Sequence, residues 1–163
     1  MALTWTMDIA TYPVAISFCG SQGMPETAEA AKFSLAYSTA MAAYFGDASE
    51  DRYVQSVVAN EDIRRLASRI TSRSNGKWEA AYPHKRGATI TIKSGKGDAY
   101  TVEVLLAKGE PENPASDEEI VAKFRKNADG QDGNTIEAML KVMLSLEQHP
   151  VSDLTNIMSR IHV

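Results

Sequence analysis

One cysteine in 163 residues leaves Cys19 nothing to pair with, which excludes an intrachain disulfide and suits a reducing compartment. No apolar run approaches the roughly 20 residues of a transmembrane helix, and the N-terminus lacks a basic stretch followed by an apolar one. Charge of one sign is also scarce: a net −4 argues against nucleic acid or an anionic membrane as a partner. The three histidines, His84, His149 and His162, stand far apart, and none lies at ligand spacing from another histidine or cysteine. Isolated surface histidines are the simpler reading, and no metal is expected. There is no internal repeat and no low-complexity tract. What remains is a cytoplasmic soluble protein of one domain, or one small domain with an appendage.

Against these absences, an apolar fraction of 44% and a charged fraction of 23% are ordinary for a globular chain. Trp5, Met7 and Ile9 alternate with Thr4, Thr6 and Asp8, the period of a half-buried strand, which Pro13 either limits to a sheet edge or ends. Residues 21–26 form a turn-rich connection. A helix over residues 28–46 should follow, with Glu26 and Glu29 at its positive end, Gly46 as its stop, and a buried stripe of Phe33, Tyr37, Ala40, Met41 and Tyr44. Residues 60–67 read as a short helix capped by Asn60, leading into a strand around 68–72. Residues 87–107 carry the clearest β signal: Ile90 and Ile92 on one face, a turn over 94–98, then Tyr100, Val102, Val104 and Leu106.

After the proline-bearing segment 108–115 the pattern becomes helical. Ser116 and Glu119 form a capping box, with Ile120, Phe124 and Ala128 on one face. A second helix carries Ile136, Met139, Leu140, Met143 and Leu144; beyond Pro150 a third carries Leu154, Ile157, Met158 and Ile161. The fold class predicted is α+β: a small domain with an antiparallel sheet and helices over 1–115, then a helical segment over 116–163.

Few residues suggest chemistry. The Ser94–Gly97 stretch looks like a phosphate loop but lies between two strands, where a hairpin turn is the better reading. Cys19 has no fixed basic neighbour and reads as a buried small side chain. The mixed-charge run 50–65 reads as a solvated helical face. Tyr37 is harder to place. It is either a core tyrosine whose hydroxyl finds a backbone partner, or a phenol at the floor of a cleft that donates a hydrogen bond or relays a proton. Spacing leaves both open.

Several segments together resemble one family. Residues 29–48, EAAKFSLAYSTAMAAYFGDA, are similar to the "EA-x-FSL-x-Y-x-x-A" helix of the MmgE/PrpD family, which includes 2-methylcitrate dehydratase and cis-aconitate decarboxylase. Residues 62–70 resemble its helix-to-strand step, and residues 82–97 its "YP-x-x-R-x-A-x-V-x-I-x-x-x-x-G" hairpin. Residues 108–124 resemble "KG-x-P-x-x-P-x-S-x-x-E-x-x-x-KF", and residues 151–158 its closing segment.

The resemblance implies the C-terminal portion of a longer protein: an α+β lid, then helices that return to a large all-α domain. It implies a metal-independent lyase or isomerase, without a cofactor, acting on a small di- or tricarboxylate. The family's catalytic carboxylate, histidines and lysine lie upstream and have no counterpart here. Residues 12–19 do not replace the family's "YP-x-C-x-x-x-H" segment, having no histidine in place and falling in the strand region. Only Tyr37 carries over as catalytic, with Ser34 on the same turn as a substrate contact; Lys32 is offset from them. The chain is expected to be a truncated, proteolysed or split-gene product, inactive alone. Its expected partners are the carboxylate substrate, the absent helical domain and a second copy of itself. A non-catalytic binding or interaction domain that keeps the lid fold is the alternative.

Overall fold

The computed structural model describes residues 5–20 and 23–161. In chain order the elements are β1 (Trp5–Thr11), α1 (Pro13–Cys19), α2 (Ala28–Lys32), α3 (Leu35–Phe45), α4 (Gln55–Val58), α5 (Glu61–Ala67), β2 (Ile70–Ser74), α6 (Gly76–Ala81), β3 (Ala88–Ser94), β4 (Ala99–Val104), α7 (Asp117–Asn127), α8 (Gly133–Met143) and α9 (Val151–Met158). The fold is α+β, and the chain divides into two compact units, Met1–Pro114 and Ala115–Val163. Thr4, Ser21, Gln22 and His162, all used in the sequence reading, lie outside the described residues.

The first unit is built on a mixed sheet in the order β2-β1-β3-β4, not on the antiparallel sheet expected, because the chain crosses over through the helices between β1 and β2 to lay β2 parallel to β1. β2 runs parallel to β1, while β3 is antiparallel to both β1 and β4. β1 is therefore central, and Pro13 ends it rather than confining it to an edge. The alternation of β1 decides which face is covered. Met7 aligns with Ile70 and Ile92, and Ile9 with Ile90, so one face is apolar across three strands. On that face Met7, Ile9 and Ile70 form a core with Ala31, Tyr37, Ala40, Met41, Val58, Ile63 and Ala67 from the helices between β1 and β2. The other face presents Asp8, Thr71 and Thr91 in register. There α6 brings in Trp78, whose indole Nε1 donates to Thr89 Oγ1 at 3.1 Å. The hairpin of β3 and β4 forms as its pattern predicts, closed by a turn in which Gly97 adopts φ +95°.

Five expectations about individual elements and residues are corrected. The helix predicted over 28–46 is two helices, because the Ser34 hydroxyl accepts the Tyr37 amide at 3.2 Å and starts a new helix there. A serine at that position competes with the preceding turn for the same amide. Phe33 is left at the break, 58% exposed, and Tyr44 is exposed too, so the buried stripe is only Tyr37, Ala40 and Met41. Residues 13–19 are helical, since a proline at the first helical position sacrifices no hydrogen bond. β2 starts at Ile70, two residues after the predicted strand. The run 50–65 is a 3-10 turn (Glu50–Arg52) with α4 and most of α5, and it buries Val58 and Ile63 rather than lying on the surface. Cys19 is only half-buried.

Among its described residues the second unit holds three α-helices and a 3-10 turn (Leu146–Gln148). Its capping box is present, with Ser116 Oγ accepting from the Glu119 amide and Glu119 Oε2 accepting from the Ser116 amide at 2.8 Å. Arg125 and Glu137 make a two-bond pair at 2.7 and 3.0 Å. Ile136, Leu140 and Val142 are buried, while Met143, Leu144, Val151 and Met158 remain exposed.

Candidate functional site

The break between α2 and α3 puts Tyr37 in the first turn of α3, with Ser34 as its cap. Both are buried, Tyr37 completely. The Tyr37 hydroxyl donates to the Val57 carbonyl at 2.7 Å, tying α3 to α4. Burial raises the phenol's pKa above its ordinary value; the Arg64 charge nearby opposes this and Tyr53 adds slightly to it. The phenol therefore stays protonated at neutral pH, able to donate a hydrogen bond but not to act as a base.

Around this pair lies a polar network drawn from separate elements. Tyr53 donates to Ser38 Oγ at 2.9 Å, and Ser38 donates to the Ala31 carbonyl at 3.2 Å. Arg64 Nη1 donates to the Pro25 carbonyl at 2.8 Å, holding the approach to α2. Lys32 forms a close ion pair with Glu50, which raises its pKa, and its ammonium sits 5.9 Å from the Tyr53 ring centre. Lys32 is thus committed to Glu50. Ser34 and Tyr37 both line a cavity of about 210 Å³, together with Gly20, Met24, Ala36 and Ser68. The Ser34 hydroxyl accepts the Tyr37 amide, and among the described hydrogen bonds its own proton has no acceptor.

Chemically this arrangement offers one uncommitted hydroxyl, that of Ser34, on a residue lining a small cavity, and a phenol whose proton is held by the Val57 carbonyl. Among the described residues no three His, Cys, Asp or Glu side chains converge as metal ligands. His84 is exposed on a loop, and His149 lies 3.2 Å from Asp153. The sequence points to Tyr37 and Ser34 as candidates, but not to Val57, Ser38, Tyr53 and Arg64, which the fold brings around them. Each of these reaches the site from a different element, and a backbone carbonyl such as that of Val57 carries no sequence signal at all.

No curated protein matches the chain. It does match the MmgE/PrpD C-terminal domain over residues 6–148, a span that takes in all of the sheet but Trp5, the Ser34–Tyr37 turn and the first two α-helices of the second unit. The chain belongs to the MmgE/PrpD family, through that family's C-terminal domain.

Proposed function

We propose that this chain is the lid of an MmgE/PrpD-type lyase or isomerase acting on a small di- or tricarboxylate. The observation that carries the reading is the family match across residues 6–148. Eliminating water or carbon dioxide, or inverting a stereocentre, beside a carboxylate needs a base, an acid and cationic anchors in one desolvated site. In this reading the base and most of the anchors come from a large helical domain, and the lid closes over them and supplies Tyr37.

Tyr37 suits the acid role because burial keeps its proton in place. It would engage a substrate oxygen by exchanging its present acceptor, the Val57 carbonyl, while Ser34 donates its free proton to a substrate carboxylate. The 2.7 Å bond and complete burial of Tyr37 favour a second reading, in which the hydroxyl only fastens α3 to α4 and the chain is a non-catalytic interaction domain.

Turnover with and without the helical half tests the proposal. The 163-residue chain alone should not turn over 2-methylcitrate or cis-aconitate, and adding a chain that carries the helical domain should produce turnover that depends on both. Turnover by the chain alone, or by the helical domain alone at the same rate, would refute it.

A further inference from the structure

Sheet topology gathers several chain segments at one edge. β1, β2 and β4 run in one direction and β3 runs against them, so the carboxyl ends of three strands meet the start of β3. The loop 82–87, YPHKRG, leads into β3 at this edge and displays His84, Lys85 and Arg86, all exposed.

The backbone under these cations is held from several sides. Thr11 Oγ1 donates to the Gly87 carbonyl at 2.8 Å in a buried bond, and the Lys85 amide donates to the Ala81 carbonyl at 2.9 Å. Tyr82 stacks on Tyr12 with ring centres 5.1 Å apart and planes 12° apart. Gly87 is wedged so tightly that a Cβ there would lie 2.3 Å from both the Trp78 ring and the Val104 carbonyl oxygen. A loop already ordered loses little further freedom when it binds.

The charges themselves are uncommitted. Lys32, Arg65, Arg73, Lys77 and Arg125 each pair with a carboxylate. Among the described residues Lys85 and Arg86 pair with none, in a chain of net charge −4. Two neighbouring cations without a carboxylate partner, carried on a fixed loop, have the makings of an anion site. Arg86 offers a planar fork matched to one carboxylate, and Lys85 a point charge for another.

We infer that Lys85 and Arg86, held on the 82–87 loop at the carboxyl edge of the sheet, bind the carboxylates of a small polycarboxylate. The ligand class rests on the function proposed above; the place rests on the loop and owes nothing to Tyr37.

Amide chemical shifts of the full chain, followed as tricarballylate is added at low ionic strength, test this. Saturable shifts should be confined to residues 84–87 and their neighbours on Tyr12 and Trp78. Lys85→Gln with Arg86→Gln should weaken the apparent affinity about tenfold or more, a loss typical of removing a charge-assisted pair. Lys96→Gln, which removes a cation from the hairpin turn at the opposite edge, should leave the affinity unchanged. Unaltered amide spectra elsewhere show that each variant is folded. Absence of saturation, an equal response to phosphate at matched ionic strength, or equal binding by the double variant would overturn the inference. Each of these results leaves the Tyr37 reading untouched, and an inert Tyr37 leaves this binding untouched.

Discussion

Tyr37 and Val57 stand twenty residues apart in sequence, and the hydroxyl of the first donates to the main-chain carbonyl of the second at 2.7 Å. This one bond joins the helix that carries the family motif to the segment that precedes α5. Removing it has a cost whatever Tyr37 does in catalysis. Tyr37→Phe should destabilise the isolated chain by about 1–2 kcal/mol, for a lost buried hydrogen bond and a carbonyl left without its partner. The midpoint of urea unfolding measures this; no change would mean that water or another donor replaces the hydroxyl.

The same phenol gives stability a pH dependence at the alkaline end. Its folded pKa lies above the ordinary value of 10.0, so the unfolded chain ionises first. Stability linked to this group is therefore complete below about pH 10 and declines as pH rises through the folded value. Tyr37→Phe should lose stability less steeply than the parent chain between about pH 9 and 11. Urea midpoints across that range decide it, and parallel curves would contradict the assignment.

Gly87→Ala should be far more damaging than an alanine at most glycines. The added Cβ would meet the Trp78 ring and the Val104 carbonyl oxygen at 2.3 Å each, and the carbonyl cannot give way like the tip of a flexible side chain. Overpacking of this kind costs about 1–3 kcal/mol or more. A thermal transition within error of the parent would show that the loop relaxes easily. It would also undercut the fixed backbone on which the Lys85–Arg86 site depends.

Much of this architecture can be read from the sequence, and the exceptions have physical causes. The β1 alternation, the Asn60 cap, the Ser116–Glu119 box and the β3–β4 hairpin depend on near neighbours, and local patterns report them well. The break at Ser34 escaped because residues 28–46 look continuously helical, while the serine hydroxyl that starts the second helix is a single local competitor within that pattern. The helix over 13–19 escaped because apolar residues after a strand resemble more strand, although Pro13 is well placed to begin a helix. For the candidate site, spacing singles out Tyr37 without deciding its role, and only the family resemblance adds Ser34 and a place at the substrate. The bond to Val57, the Arg64 contact with Pro25 and the carboxyl-edge position of Lys85 and Arg86 depend on how distant segments meet. No spacing rule encodes that.

Self-association is expected of the chain on its own. In the second unit Leu144 is 65% and Val151 71% exposed. In the first, Tyr100, Val102 and Val104 extend the apolar face of the sheet onto its edge strand β4 and are exposed as well. Apolar surface of this kind generally marks an interface, and a symmetric dimer is the economical way to cover it. Sedimentation at micromolar concentration should show a dimer or larger species. A monomer that unfolds in one cooperative transition would contradict this.

The most direct measurement on the lid reading is kcat for Tyr37→Phe in the complete assembly, at a temperature where the variant is folded. Both readings of Tyr37 predict the stability loss described above, so only activity separates them. If the hydroxyl donates a proton or a hydrogen bond to substrate, kcat falls about 10²-fold or more, as for loss of a general acid. An unchanged kcat would make Tyr37 a structural tyrosine and contradict its role at the substrate.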